Sequence, residues 1–418
     1  MLRSKILVVT GTSPSSGISV VCARQIRDAL KLDFENVEKA ELDATLIDRI
    51  VELAPDAVVL ARPLGAGISS IALLSALELS GLPYVGSAMA EMAAIEDIDA
   101  AKTLLHGVGL PTTENFTTDL GDDVGEADLL NTSRAGRRLY ASVLDTPTPQ
   151  ALAIVENLED DPGIPLRMYF AHQHQEYSCP AVLSEEISAE AQRIALVVHD
   201  IFGFRDTSRT TLALTPEGLA ISAISANPLL CVNSLFVTAA RVAGYAFEDL
   251  IWHLVSQATA RRVGSLDIAS SAVGIASDLS NFHDHPFVLD NVPCRSIEGL
   301  LQALKFSNED MQRNVCNLAG REAKLRGTDQ NVIWQGNQTL FWRGQPMPRQ
   351  SEEYQQFLDR AFFALFSQSS GFRDALRETG HRVLRHSRGE RNPSRTVLTE
   401  REFVRRLSAL RSTLPCTT

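Results

Sequence analysis

The sequence predicts an α/β N-terminal half followed by a mostly α-helical (α+β) C-terminal unit. Three observations lead there. Short apolar runs ending in Gly/Ser-rich loops alternate with helix-patterned segments through the first part of the chain. A small, polar stretch after Arg262 interrupts that pattern. The charge also changes sign there: residues 1–262 hold 19 Lys and Arg against 34 Asp and Glu, a balance of −15, and residues 263–418 hold 20 against 17, a balance of +3. A chain of 418 residues exceeds one ordinary core of about 100–200 residues, so more than one unit is expected. The expected boundaries are 1–112 and 113–262 for two α/β domains, 263–276 for a linker and 277–412 for the C-terminal unit.

"KILVV" (Lys5 to Val9), the loop "TGTSPSSG" and "ISVVCARQIRDALKL" read as strand, loop and helix. "DAVVLARPLGAG" and "ISSIALLSALELSG" repeat the pattern, and "LPYVGS" is expected as a third strand. Such alternation implies a parallel sheet flanked by helices. The loops Gly11–Gly17 and Gly65–Gly67 have the composition of an anion cradle, but neither is followed by a Walker lysine or forms a GxGxxG.

Two stretches carry a family resemblance: "LSALELSGLPYVGSAMAEMAAIEDIDAAKTLLHGVGLPT", residues 74–112, and "SRTTLALTPEGLAISAISANPLLCVNSL" with "AARVAGYAFEDLIWHL", within residues 208–254. Their order resembles D-alanine:D-alanine ligases of the ATP-grasp superfamily, over most of residues 1–262. The resemblance implies a pre-ATP-grasp domain and an ATP-grasp domain. It also implies ATP, with lysines on the phosphates and carboxylates on magnesium. Lys102 stands at one lysine position and Ile98 at the other. Thr211, Ala223 and Ser225 stand where the family's magnesium ligands are expected, and Ser15 where its first loop is acidic. On this reading the half is a degenerate, ligase-like scaffold, and ATP with magnesium is not expected to be used there.

In the C-terminal unit "PFVLDN" reads as a short strand and "VPCR" as a turn, and Ser296 as the N-cap of "IEGLLQALKF". Glu298 then lies in the first turn, where the helix dipole favours a carboxylate by about 0.3–1 kcal/mol. Glu298, Gln302 and Lys305 recur at i, i+4 and i+7, on one face. "LSNF", "HPFVLDN" and "SIEGLLQALKF" resemble the NADAR family in order and spacing, over residues 275–411. That resemblance implies an N-glycosidase acting on a phosphorylated nucleoside-like substrate, a riboflavin-pathway intermediate or an ADP-ribosylated base, with no cofactor required. Glu298 would stabilise sugar cation character; alternatively, and ranked second, Lys305 would attack the opened sugar as an amine. Asn281, Phe282, Gln302, Trp342, Arg343 and Arg349 would contact substrate. The family's Asp-x-x-Trp-Gly segment is absent.

Two other functions stay open: an ATP-dependent carboxylate–amine ligase, and a non-catalytic nucleotide or ADP-ribose sensor. Between Arg373 and Arg411 lie 11 arginines and five acidic residues, a field suited to phosphorylated ligands and, without further support, nucleic acid. "TVLTEREFVRRLSALR" reads as a capped terminal helix with Thr399 and Glu402 as its capping box and Arg405 and Arg406 on its solvent face. No apolar run approaches the roughly 20 residues of a membrane span and no secretory h-region opens the chain, so a cytoplasmic protein without membrane contact is expected. The ligase-like half is a candidate surface for a homo-oligomer. Six cysteines are scattered without CxxC spacing and read as unpaired thiols. His172 and His174, His283 and His285, and the acidic stretches Asp122–Asp128 and Glu156–Gly163 follow no metal-binding pattern.

Overall fold

An uninterrupted apolar run, Ile6 to Val9, is buried on both faces, as befits a strand in a sheet covered on two sides. In the computed structural model, which describes residues 2–10, 17–41, 43, 45–61, 68–119, 138–146, 148–157 and 184–414, it lies at the centre of strand Leu2–Thr10. That strand pairs in parallel with Ala57–Leu60, from Ile6↔Ala57 to Val9↔Leu60. Phe34–Glu41 completes the three-stranded sheet. "LPYVGS", expected as the third strand, contributes only a parallel bridge between Val58 and Tyr84. Phe34 and Ala40 are the buried residues of "FENVEKAE", too thin an apolar pattern to announce a strand. The Gly/Ser loops ahead of Gly17 and at Gly65–Gly67, Ser15, Asp122–Asp128, residues 158–163, His172 and His174 lie outside the described residues.

The second sheet has six strands in the order Thr112–Asp119, Gly218–Ser225, Thr207–Thr215, Arg138–Asp145, Pro149–Ala151, with Val155–Asn157 also paired to Arg138–Asp145. The first pair is parallel and the others antiparallel. Leu139, Ala141 and Val143 alternate inward and share a core with Ala191, Ile194, Ala195 and Val198 of helix Glu185–Ile201. Those four recur at helical spacing and give the helix one apolar stripe. Ser184 caps it by accepting from Ile187 N–H, and Glu185 and Glu186 occupy the first turn, beside the positive end of the dipole.

The chain divides into two compact units, Ser4–Arg262 and Val263–Thr418. Residues 263–276, expected as a linker, are built into the second. Ser265–Asp267 pairs in parallel with Val383–Arg385, Ile268 is buried, and Asp267 Oδ1 accepts from Ser387 N–H at 2.8 Å. The Gly/Ser composition serves tight turns instead: Gly264 and Gly274 have φ of 73° and 64°, which glycine adopts without steric penalty.

The second unit is helical, with three two-stranded ladders among its described residues. Helix Glu352–Gln368 is its spine, burying Tyr354, Phe357, Leu358, Ala361, Phe362 and Leu365. Helix Glu400–Arg411 opens with the expected capping box of Thr399 and Glu402. Arg406, expected in solvent, is 4% exposed. Its guanidinium donates to Gln355 O, Gln355 Oε1 and Glu402 O and pairs with Asp359. Among the described residues no helix is long and apolar enough to cross a membrane.

Candidate functional site

In the first unit the two central antiparallel strands pair Arg209 with Ser225 and Thr211 with Ala223. Side chains alternate across a strand, so these four positions share one face. Tyr140 pairs with Thr211, and its ring lies 5.8 Å from the nearly buried Arg209 guanidinium. Lys102 donates to Glu114 O at 3.2 Å and sits over Phe116, on the strand beside Gly218–Ser225. Ile98 opens helix Ile98–Gly107, whose N-cap Asp97 accepts from Asp99 and Ala100 N–H.

Magnesium requires an oxygen shell that ordinarily includes one or two carboxylates. Thr211 and Ser225 provide neutral hydroxyls, Ala223 provides no donor, and no group of three His, Cys, Asp or Glu among the described residues could hold an ion. These residues do not fit magnesium. Arg209 is a charged group that this face carries.

A buried clamp, not anticipated from the sequence, fixes this sheet to the preceding α/β segment. Asp206 accepts from Arg261 Nη1 at 2.6 Å, from Arg261 Nη2 at 3.0 Å and from Gly86 N–H at 2.8 Å. Asn227 Oδ1 accepts from Ser87 N–H at 2.8 Å. A Cβ on Gly86 would stand 2.3 Å from that oxygen, so only glycine permits the approach. The glycine of "YVGS" was the one available signal. Nearby, His199 bridges Ser208 Oγ, 2.8 Å from Nδ1, and Asp145 Oδ1, 3.2 Å from Nε2.

In the second unit Ser296 caps helix Ile297–Ala303, accepting from Gly299 N–H at 2.9 Å. Asn281 contributes its carbonyl, which accepts from Glu298 N–H at 2.9 Å. Glu298, Gln302 and Lys305 are all buried and form one chain. Gln302 Nε2 donates to Glu298 Oε1 at 2.8 Å, and Lys305 Nζ donates to Gln302 Oε1 and Asn331 Oδ1, each at 2.6 Å. Trp334 Nε1 also donates to Asn331 Oδ1, and Lys324 lies 3.7 Å from Glu298. Gln302 packs on Gly327 so tightly that a Cβ there would lie 1.9 Å from its Oε1.

Burial, reinforced by the Lys324 ammonium and opposed by Glu298, pulls the Lys305 amine from 10.5 to about 8. Between those values the unfolded chain keeps a proton that the folded chain has released, so stability rises with pH; below about 8 the cost of burying the ammonium is fully present. Relative to Lys305→Met, the native chain should gain on the order of 2–3 kcal/mol between pH 8 and 10.5 in denaturant unfolding. A pH-independent difference would show that the amine is not held down.

The other expected contacts lie elsewhere. Trp342, 6% exposed, donates Nε1–H to Asp290 Oδ2 at 2.8 Å and packs on Phe357. Together with Asp290, Phe357 and Arg360, Trp342 and Arg343 border an open hollow of about 440 Å³ that Glu298, Gln302 and Lys305 do not line. Phe282 is half-buried, its N–H donating to Ser280 Oγ. Arg349 is 1% exposed and forms a fork with Glu402, at 3.0 and 2.7 Å.

Residues 274–412 match the family model described as bacteriophage protein GP30.3. The 17.1 kDa protein of the Gp30–rIII intergenic region of Enterobacteria phage T4 is 36% identical over 153 residues, 36% of this chain and 100% of that protein. Through this unit the chain belongs to the GP30.3 family. The remainder resembles D-alanine–D-alanine ligases, with residues 126–256 matching the model for their C-terminal part. The ligase of Cupriavidus pinatubonensis is 25% identical over 58% of this chain and 86% of its own length. That of Desulforudis audaxviator is 25% identical over 62% and 100%. Among solved structures, the Bacillus anthracis ligase complexed with ATP aligns at TM-score 0.47 and 16% identity, over 62% of this chain and 98% of that one. By sequence, about 60% of the chain carries a ligase-like ATP-grasp scaffold, and the GP30.3 unit follows it. The expectation of a glycosyl hydrolase, with ligase activity not expected of the first half, is overturned, because the enzymes named here that the chain resembles in sequence are D-alanine–D-alanine ligases and not N-glycosidases.

Proposed function

We propose that the ligase-like unit joins a carboxylate to an amine at the expense of ATP. The supporting observation is similarity that runs in order through 86–100% of the length of curated D-alanine–D-alanine ligases. In such a reaction negative charge accumulates as phosphate meets carboxylate, and a preorganised cation in a dry site lowers that barrier. Arg209 is the residue given this role, with Lys102, on helix Ile98–Gly107 and bonded to Glu114 O of the neighbouring strand, as a second cation. No step is assigned to magnesium. Full-length chain incubated with ATP and D-alanine should release ADP and dipeptide. Arg209→Met should reduce turnover by about 100-fold or more. Absence of ADP release across a panel of amino acids would remove this reading.

The side chains at Thr211, Ala223 and Ser225 favour a second reading, nucleotide binding without transfer. ATP binding in calorimetry with no ADP formed would support it, and absence of ATP binding would remove both. For the GP30.3 unit, Glu298, Gln302 and Lys305, with Asn281 and Phe282 at the helix start, are proposed as one polar site. Trp342 and Arg343 are proposed to contact a small polar ligand at the separate hollow. Self-association through the ligase-like unit remains part of the proposal, tested by sedimentation.

A further inference from the structure

Cys22 and Cys231 are far apart in the sequence, yet one side chain brings them together. Cys22 and Gln25 lie on helix Gly17–Leu30, three positions apart and therefore on the same face. Gln25 Oε1 accepts from Cys231 Sγ at 3.1 Å and from Val232 N–H at 3.0 Å. The loop after strand Gly218–Ser225 is thus fastened to the first helix, with the two thiols side by side. Both are unbridged; Cys22 is buried and Cys231 partly exposed.

We infer that Cys22 and Cys231 form a reversible disulfide, with Cys231 as the attacking thiol and Cys22 as the resolving one.

The chemistry of the pair divides the roles this way. The Cys22 thiol, followed by the backbone N–H groups of Asn233 and Val232, stabilises the Cys231 thiolate against burial and brings it down to about 7. A partly exposed thiol that is substantially ionised near neutral pH supplies the thiolate, the form that reacts. With a low-molecular-weight disulfide such as oxidised glutathione, the Cys231 thiolate attacks one sulfur and expels one glutathione thiolate. Cys22, losing its proton to water, then attacks the Cys231 sulfur of the mixed disulfide and expels the second. The protein loses two hydrogens and the small disulfide is reduced to two thiols, so the exchange balances.

The molecule contains its own comparison. Cys294 and Cys316 are likewise adjacent thiols, but both are buried, and the contact with Cys316 together with burial pushes the Cys294 thiol far above its usual range. That pair is set to remain reduced.

The bond would close a loop of roughly 200 residues and join the first helix to the sheet carrying Arg209. The test is non-reducing peptide mapping of the native full-length chain after titration with oxidised glutathione at pH 7. A Cys22–Cys231 linked peptide is expected, with Cys294 and Cys316 still alkylated as free thiols. Brief iodoacetamide labelling should modify Cys231 at least about tenfold faster than Cys294. In Cys22→Ser, Cys231 should stop at the glutathione adduct, and in Cys231→Ser the link should not form. Unreacted Cys231, a glutathione adduct that never resolves in the native chain, or a link to another cysteine or a second chain would each overturn the inference. The readout is sulfur chemistry and does not depend on ATP.

Discussion

Replacing Arg349 with methionine is expected to destabilise the GP30.3 unit by about 3–5 kcal/mol, the usual result of leaving one member of a buried pair alone. Arg349 is almost fully enclosed, and both prongs of its fork meet Glu402 while Nε donates to Thr396 O at 2.7 Å. Methionine fills much of the volume but strands the carboxylate. Arg349→Lys keeps the charge and loses the planar fork, so an intermediate loss is expected. Arg349→Met with Glu402→Met should cost less than the sum of the two single changes, because neither charge is then abandoned. Acid should have a related effect. Burial acts to raise the Glu402 carboxyl, but the Arg349 charge and hydrogen bonds, with Thr399 N–H and Gln355, outweigh it and hold it below its usual range. A depressed carboxyl contributes stability above its unfolded value, which is lost as pH falls through the folded one. Native chain should therefore lose stability below about pH 4.5 more steeply than the double variant in fluorescence-monitored unfolding. Unchanged stability in Arg349→Met would show that the buried pair does not hold the unit together.

The second large effect is expected in the ligase-like unit, where Asp206→Ala should cost about 3–5 kcal/mol. The substitution strips Arg261 of its partner and leaves Gly86 N–H without its acceptor. It also places alanine at φ 65°, a left-handed conformation costing roughly 1 kcal/mol or more without an Asx side chain. Asp206→Asn tolerates that backbone and keeps one acceptor, so a loss nearer half is expected. Hydrogen exchange should locate the damage along strands Thr207–Thr215 and Gly218–Ser225; protection equal to the native chain would refute the clamp.

Local rules were legible and distant partners were not. Ser296 and Thr399 were readable as caps because a cap is decided within four residues. Glu298, Gln302 and Lys305 were placed on one face because helical spacing fixes that. The burial of Arg349 and Arg406 was not legible because it depends on carbonyls and carboxylates some fifty positions away, which no spacing encodes. Strand Phe34–Glu41 was missed because its exposed side chains hide the alternation that marks a strand. The proximity of Cys22 and Cys231 was invisible for the same reason as Asp206 and Arg261: each contact joins segments that only the completed sheets bring together. The reaction expected for Glu298 rested on a likeness of motifs, and the relatives of the chain did not support it.

The parallel pairing of Ser265–Asp267 with Val383–Arg385 has a consequence for synthesis. His386 reaches back to Ile268 O at 2.6 Å across 118 positions, so the beginning of the GP30.3 unit waits for a late segment to leave the ribosome. Throughout that interval the ligase-like unit is already fully emerged and free to fold. Translation therefore imposes an order, in which the ligase-like unit can mature first and the GP30.3 unit closes only once Val383–His386 have been made.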